Sequence, residues 1–186
     1  MKRIFIGVKV EATDNLLRIY SSLKSLLGME KIKWVDPGNI HLTLAFLGDT
    51  EDDKIKAASI MLKNVCTGFG EFSFTLKGTG VFRNFRDPRV LWIGIDQPEK
   101  VQKLYDVVNT GLKDTGFTVE SRPFSPHITI GRIKLIRDRE NLKSSVERYQ
   151  KDFIQEVNVN EVILFESILK PEGPVYRPVG RFKLNG

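Results

Sequence analysis

The chain has 186 residues, of which 41% are hydrophobic and 28% charged, as is usual for a globular protein. Its formal net charge of +6 suits a polyanionic partner such as nucleic acid, although a basic surface without such a partner would give the same charge. Because Cys66 is the single cysteine, the chain cannot form an intramolecular disulfide or a cysteine-based metal cluster, and we expect this side chain to be buried without a catalytic role.

The first half of the chain is predicted to alternate between strands and helices. An apolar run begins at Ile4 and stops at Lys9, which is too short for a secretory core or a membrane span, so we expect the first strand of a cytoplasmic protein. Gly78 and Gly80 predict a bulge late in this half. Hydrophobic periodicity predicts helices that begin near Asp14 and Asp52, and further strands over residues 32–35, 40–47 and 72–82.

The second half repeats this order of elements. Phe5-Ile6-Gly7 matches Trp92-Ile93-Gly94 at an offset of 87 residues, although identity elsewhere is poor. The repeat predicts two α+β lobes related by a pseudo-twofold axis. A doubly wound parallel sheet is the competing architecture, which we disfavour because no glycine-rich phosphate loop is present. Periodicity predicts strands over residues 90–95, 127–132, 153–169 and 175–184, a further short strand that follows Gly116 and Phe117, and helices over residues 99–112 and 137–150.

The two histidines of the chain lie in matching tetrapeptides, His41-Leu42-Thr43-Leu44 and His127-Ile128-Thr129-Ile130, at an offset of 86 residues. In a strand, residues i and i+2 point to the same face, so each tetrapeptide presents one imidazole beside one hydroxyl. With 10 threonines in 186 residues, both histidines would have threonine at this position by chance only about once in 350. Two such strands facing each other predict a site for general acid–base chemistry on an oxyanion, without a metal or another cofactor.

Stretches around the two tetrapeptides indicate a family. They are WVDPGNIHLTLAFLG over residues 34–48, GVFRNFRDPRVLWIG over 80–94, FSPHITIGR over 124–132 and SILKPEGPVY over 167–176. With its paired HxTx motifs, the chain resembles the 2H phosphoesterase superfamily and, within it, the branch of 2′-5′ RNA ligases and RNA 2′,3′-cyclic phosphodiesterases. The resemblance implies one bilobal α+β domain over residues 1–186, with two pseudo-twofold-related antiparallel β-sheets, outer helices and a central active-site cleft. The lobes would be built around residues 1–85 and 86–186, with terminal strands exchanged between them.

The resemblance also implies a reaction and its residues. An RNA 3′ end with a 2′,3′-cyclic phosphate would be opened to a 2′-phosphomonoester without a metal, and the reverse chemistry would join RNA ends through 2′-5′ linkages. His41 would be the proton donor and His127 the proton acceptor, while Thr43 and Thr129 would hydrogen-bond the phosphate oxygens. The residues alone do not assign acid and base, because the two motifs are pseudo-symmetric. We expect no membrane association, no obligate protein partner and a monomer.

Three substrate-binding residues are carried over from the family. Phe46 and Arg132 each lie five positions after a motif histidine, where the aromatic ring would stack on a base and the guanidinium would contact phosphate. Strand parity places position +5 on the face opposite the histidine, so this interpretation needs a bulge or a strong twist near Gly131, or entry of the side chain from the strand end. Tyr176 follows a glycine–proline turn, and the sequence leaves open whether it lines the cleft or packs in the core. For Phe46, the sequence likewise leaves open whether the ring stacks on a base or packs in the core.

Other interpretations of the sequence stay open. Arg83, Arg86 and Arg89 lie with Phe82 and Phe85 in a segment that either contacts an RNA backbone or forms a solvated loop with both rings packed inward. The enzyme could act on a cyclic phosphodiester of a small nucleotide or an ADP-ribose derivative. A non-catalytic RNA-binding module would leave the matched histidines unexplained, and a metal hydrolase is poorly supported because neither motif contains an acidic residue.

Overall fold

The computed structural model describes residues 1–186, which form nine β-strands and four α-helices. The strands are β1 (Lys2–Lys9), β2 (Lys31–Trp34), β3 (His41–Thr50), β4 (Phe72–Arg83), β5 (Pro88–Asp96), β6 (His127–Leu135), β7 (Phe153–Val159), β8 (Glu161–Lys170) and β9 (Gly173–Lys183). The helices are α1 (Asp14–Leu26), α2 (Asp52–Thr67), α3 (Glu99–Asp114) and α4 (Arg139–Glu147). None of these helices is both long and apolar enough to cross a membrane.

Side-chain caps explain where two helices begin. The Thr13 hydroxyl accepts a hydrogen bond from the Leu16 amide at 3.4 Å, and α1 starts at the next residue after Thr13. In the same way the Asp138 carboxylate accepts from the Asn141 amide at 2.9 Å. This cap starts α4 at Arg139, so the helix predicted over residues 137–150 is shorter at both ends.

Two other predicted elements differ from the structure. The short strand predicted to follow Gly116 and Phe117 is absent, because no residue between 115 and 126 is in a strand. The alternating stretch over residues 153–169 is two strands, β7 and β8, separated at Asn160. The Asn160 carbonyl accepts a hydrogen bond from the Leu184 amide at 2.9 Å, and the chain passes there from β7 beside β4 to β8 beside β1. Periodicity could not reveal this crossing, because it does not encode which strand a segment pairs with.

All nine strands pair antiparallel in the order β7-β4-β5-β6-β3-β1-β8-β9, and β2 pairs with β6 off this path. We refer to β3-β1-β8-β9 as the first lobe and to β7-β4-β5-β6 with β2 as the second lobe. The two motif strands, β3 and β6, are neighbours at the middle of this order. Next to each of them lies the strand with one copy of the repeated tripeptide, β1 or β5. Strand β4 therefore lies in the second lobe although it precedes residue 85, and β8 and β9 from the end of the chain lie in the first lobe.

The two lobes are joined by a single pair of residues, Leu42 of β3 and Ile128 of β6. Beyond this pair the two motif strands separate, and their freed carbonyls find other donors, as buried backbone groups must. The Ile130 carbonyl accepts from the Val35 amide at 2.9 Å, and the Leu44 carbonyl accepts from the side-chain amide of Asn109 in α3 at 3.1 Å. The two predicted sheets are thus one continuous nine-stranded sheet, joined between the lobes at this pair.

One hydrophobic core of 38 buried residues takes side chains from all four helices and from one face of the sheet. In β1, Ile4, Ile6 and Val8 belong to this core, whereas Phe5 points to the opposite face and packs with Ile163 and Phe165. The helices therefore cover one face, and the other face is left for a site. The predicted α+β class, antiparallel pairing and outer helices are confirmed.

Candidate active site

The four motif side chains meet where the two lobes join. Leu42 and Ile128 are 1% and 0% exposed, so this pair is fixed in the core. Their neighbours His41, Thr43, His127 and Thr129 are half-buried and point to the opposite face, as the period of a strand requires. Because the two strands pair antiparallel at Leu42 and Ile128, His41 is on the side of Thr129 and Thr43 is on the side of His127. We call the face that carries these four residues the cleft face.

Each imidazole is held by a hydrogen bond to the backbone two residues before it. Nδ1 of His41 lies 2.7 Å from the Asn39 carbonyl oxygen, and Nδ1 of His127 lies 2.7 Å from the Ser125 carbonyl oxygen. Because a carbonyl can only accept, Nδ1 carries the proton in both rings. Nε2 of each ring is therefore the nitrogen that is free to give or take a proton.

Both histidines have a pKa below the ordinary value of 6.5. Burial is the largest cause, because it disfavours the charged imidazolium. The hydrogen bonds to Asn39 and Ser125 act in the opposite direction, and the positive charge of Arg132 lowers the pKa of both rings further. For His41 the charge of His127 contributes in the same direction. The free site thus favours two neutral imidazoles near neutral pH.

A bulge in β6 brings Arg132 to the cleft face. Trp92 of β5 pairs with Thr129, whereas Leu91 pairs with Gly131, so β6 has one extra residue at this step. A Cβ on Gly131 would point into the core, 2.9 Å from Cγ2 of Ile32, and the next residue therefore returns to the face of the histidines. Arg132 is exposed there, and its charge acts on both rings.

A matching bulge in β3 brings Phe46 to the same face. Gly7 pairs with Thr43, whereas Ile6 pairs with Ala45, so the extra residue lies at Leu44. Phe46 then pairs with Phe5, and the two ring centroids are 6.0 Å apart. Phe46 is 64% exposed, so it is not a core aromatic residue. Of the alternatives for position +5, the bulge near Gly131 is therefore the one present, and β3 contains its counterpart.

Aromatic rings surround His41. The Phe5 centroid lies 4.9 Å from the imidazole centroid, and the Tyr176 ring approaches edge-on at 5.2 Å. Phe165 lies behind them, stacked on Phe5 at 4.9 Å. Burial raises the pKa of the Tyr176 hydroxyl, while the positive charges of Arg132 and Arg3 act in the opposite direction. Tyr176 therefore lines the cleft as well as packing against the small cluster beside it.

On the other side of the cleft, the Phe82 ring meets His127 edge-on at 4.9 Å between centroids. Phe85, three residues further along, packs against the main core instead. Arg83 and Arg89 both pair with the Asp87 carboxylate at 2.9 Å. The interpretation with both rings packed inward is therefore wrong for Phe82, because Phe85 points to the core and Phe82 to His127. Contact of this segment with an RNA backbone stays a prediction.

The sequence analysis missed several residues of the cleft. Phe5 and Phe82 contact the two histidines, and the charge of Arg3 reaches Tyr176. Phe5 could have been found, because it lies between core residues of a strand and so must face away from the core. Nothing local indicated Phe82, whose position depends on pairing with β5.

The turn before the first motif connects the two ends of the first lobe. The side-chain amide of Asn39 donates to the Pro174 carbonyl at 2.8 Å, while its own backbone carbonyl accepts from His41. Pro174 lies in β9 two residues before Tyr176, so one residue fixes His41 relative to the strand of Tyr176.

No three histidine, cysteine, aspartate or glutamate side chains come together as a possible metal site. Cys66 is free and 1% exposed, which confirms the predicted buried thiol. Burial raises its pKa to about 11, so the thiolate, which is the reactive form, is strongly disfavoured. The polar side chains near the two histidines carry imidazole, hydroxyl and guanidinium groups.

Comparison with known proteins agrees with this geometry. The paired HxTx strands on which the resemblance to the 2H phosphoesterases rests lie together where the two lobes join. The family model described as LigT like phosphoesterase matches residues 6–92 and again residues 93–176, so each half of the chain matches it separately. The chain belongs to the LigT-like phosphoesterase family.

Relatives match over most of their length. A protein named RNA 2′,3′-cyclic phosphodiesterase from Methanothermobacter thermautotrophicus is 33% identical over 184 residues, which is 98% of each chain. A protein of the same name from Thermotoga maritima is 38% identical over 155 residues, covering 82% of this chain and 80% of the relative. The crystal structure of the protein TT0787 from Thermus thermophilus aligns with a TM-score of 0.80 at 25% identity, covering 99% of this chain and 98% of that one.

Proposed function

We propose that this protein hydrolyses RNA 2′,3′-cyclic phosphate ends to 2′-phosphomonoesters. The observation that carries the proposal is the pair of imidazoles on either side of the Leu42–Ile128 junction, each with Nδ1 bound to a carbonyl and Nε2 free. Two such groups can exchange one proton each with opposite ends of a phosphorus centre. The relatives named RNA 2′,3′-cyclic phosphodiesterase support this substrate.

In the proposed reaction, His127 is the proton acceptor and His41 is the proton donor. Nε2 of His127 removes a proton from water, the resulting oxygen attacks phosphorus, and the bond from phosphorus to the 3′-oxygen breaks. Nε2 of His41 gives its proton to that oxygen, which leaves as a 3′-hydroxyl. The hydrogen bond of His127 is solvent-exposed and that of His41 is partly buried, which supports placing water beside His127 and the ribose beside His41.

The negative charge of the phosphate lets His41 act as an acid. In the free site its pKa is lowered by burial, by Arg132 and by His127. A bound phosphodiester places an anion beside the ring and favours the imidazolium. Each positioned acid or base contributes on the order of 10² to 10⁴ in rate.

Thr43, Thr129 and Arg132 are proposed to bind the phosphate oxygens. The two hydroxyls lie on the cleft face beside the histidines, and the guanidinium charge acts on both rings. Donors fixed before the reaction stabilise the charge that develops at phosphorus without reorganising. A guanidinium also matches the geometry of two phosphate oxygens, which a lysine ammonium does not.

RNA is the proposed partner, and we expect a monomer that acts in the cytoplasm. Phe46 is 64% exposed on the cleft face, which suits stacking on a base, and Tyr176 lines the wall beside His41. A net charge of +6 favours a polyanion over a single nucleotide. We therefore propose RNA ends as the substrate and not a small cyclic nucleotide.

The test is product analysis of a short RNA that ends in a 2′,3′-cyclic phosphate, with adenosine 2′,3′-cyclic phosphate compared in parallel. We expect a 2′-phosphate product and a higher kcat/KM for the RNA. Phe46→Leu should raise KM for the RNA about 5-fold or more, since base stacking contributes about 1–3 kcal/mol. A 3′-phosphate product would show that the 2′-oxygen leaves and not the 3′-oxygen. Equal kcat/KM values for the two substrates would show that RNA is not preferred.

A further inference from the structure

Two positive side chains lie directly opposite each other on the cleft face of the second lobe. Lys33 of β2 pairs with Arg132 of β6 in an antiparallel ladder, and residues directly opposite in such a ladder share a face. The core contacts of β2 agree, because a Cβ on Gly131 would lie 2.9 Å from Cγ2 of Ile32 and 3.6 Å from Cε3 of Trp34. Ile32 and Trp34 therefore point to the core, and Lys33 between them points to the cleft face.

No carboxylate neutralises this pair of charges. Lys33 and Arg132 are both exposed, and neither takes part in any of the nine ion pairs of the structure. On its other side Arg132 pairs with Val90 of β5, so this row across the sheet holds two cations and no acidic side chain. Like charges directly opposite each other destabilise a sheet, and a bound anion would relieve that repulsion. The row therefore has the charge pattern of a phosphate site.

Lys33 lies further from the reacting groups than Arg132 does. The charge of Arg132 lowers the pKa of both histidines, whereas Lys33 is not among the charges that act on them. At the junction of the lobes His41 is on the side of Thr129, and Lys33 pairs with β6 further along in the same direction. Lys33 is thus on the side of the junction where the proposed reaction places the ribose.

On the basis of the proposed function, we propose that Lys33 binds the phosphate that joins the terminal nucleotide of the RNA to the nucleotide before it. The cyclic phosphate occupies the position between the histidines and Arg132, and the next phosphate is one ribose further along the chain. Opposite residues in a ladder have Cβ atoms about 4.5–5.5 Å apart, so the two cations can hold two successive phosphates. The flexible stem of lysine suits a phosphate that is bound by charge without a fixed geometry. A mononucleotide has no second phosphate, so Lys33 distinguishes RNA from a small cyclic nucleotide.

Two substrates that differ by one nucleotide test this proposal. The first is the dinucleotide ApA with a 2′,3′-cyclic phosphate, and the second is adenosine 2′,3′-cyclic phosphate, which lacks the upstream phosphate. We expect Lys33→Gln to lower kcat/KM about 3- to 10-fold for the dinucleotide and less than about twofold for the mononucleotide. Lys33→Arg keeps the charge and should stay within about twofold of wild type on both substrates. The control is Lys63→Gln, which removes the same charge from the exposed side of α2 and should leave both values unchanged.

The salt dependence of binding gives a second measurement, which does not need turnover. A fluorescently labelled short RNA that ends in a 2′-phosphate is titrated with each variant, and its Kd is followed from low to high salt. Each phosphate contact on single-stranded nucleic acid contributes about 0.7 to the slope of log Kd against log salt concentration, so Lys33→Gln should lower this slope by about 0.7. Lys63→Gln should keep the wild-type slope.

The outcomes separate this site from the proposed function. If Lys33→Gln lowers the slope but wild type does not open the cyclic phosphate, the site stands and the proposed function fails. An equal loss of kcat/KM on the dinucleotide and the mononucleotide would overturn the site. An unchanged kcat/KM on the dinucleotide, an unchanged slope, or the same losses in Lys63→Gln would each overturn it as well.

Discussion

Adding one methyl group at Gly7 is expected to move the first catalytic motif. A Cβ at this position would lie 2.7 Å from the Leu42 carbonyl oxygen and 3.6 Å from Cδ2 of His41. To restore the 3.4 Å of an ordinary contact, β3 must retreat from β1 by about 0.7 Å. Leu42 lies between His41 and Thr43, so this shift displaces both the proposed proton donor and a proposed phosphate-binding hydroxyl.

We expect Gly7→Ala to lower kcat/KM on a cyclic-phosphate substrate between about 10-fold and 10²-fold, because a displacement near 1 Å can cost about 10²-fold. Overpacking should also lower the free energy of unfolding by about 1–3 kcal/mol, seen as a fall in Tm of about 2–12 °C. Gly68→Ala is the control, since the nearest atom to its new Cβ is 4.0 Å away. If Gly7→Ala keeps the wild-type kcat/KM and Tm, the close approach of β1 to the motif does not constrain the site.

The remaining predictions concern the histidines, their support and the thiol. NMR should give two imidazole titrations, both with a pKa below 6.5, because burial disfavours the charged ring. Binding of 2′-AMP should raise both pKa values, because its phosphate favours the imidazolium. A pKa above 6.5 in the free protein would contradict the burial argument. Asn39→Ala removes the hydrogen bond to the Pro174 carbonyl and so loosens the residue that holds His41. We expect kcat to fall about 3- to 10-fold while the far-UV circular dichroism spectrum is unchanged. An unaltered kcat would show that this hydrogen bond is dispensable. The Cys66 thiol, with its pKa raised to about 11 by burial, should react with iodoacetamide only after unfolding; prompt labelling of the folded protein would contradict its burial.

The four catalytic candidates could be identified from the sequence because their pattern is local. His41 and Thr43 share a face by strand geometry alone, and a repeat of the pattern on a second strand is informative without any knowledge of the fold. Phe46 and Arg132 were harder, because strand parity pointed away from the site. The extra residues at Leu44 and in the step before Gly131 reverse that parity, and such bulges depend on pairing with β1 and β5.

Long-range pairing explains what the sequence did not reveal. The crossing at Asn160 and the placement of β4 in the second lobe depend on which strands meet, which periodicity does not encode. Phe82 and Phe85 have the same residue type and lie three positions apart, but one contacts His127 and the other packs in the core. Trp92 could be matched to Phe5 through the repeat, yet its contact with Gly80 appears only in the folded sheet.

The most direct test of the two-histidine mechanism is kinetic analysis of wild type, His41→Ala, His127→Ala and the double variant in excess EDTA, with a cyclic-phosphate RNA as substrate. Each single variant should lose at least about 10²-fold in kcat, and the double variant should lose far less than the product of the two, because groups that act as a unit are not additive. Wild type should keep its activity in EDTA and release the 2′-phosphate. Near-wild-type turnover by either single variant, or loss of wild-type activity in EDTA, would contradict the mechanism.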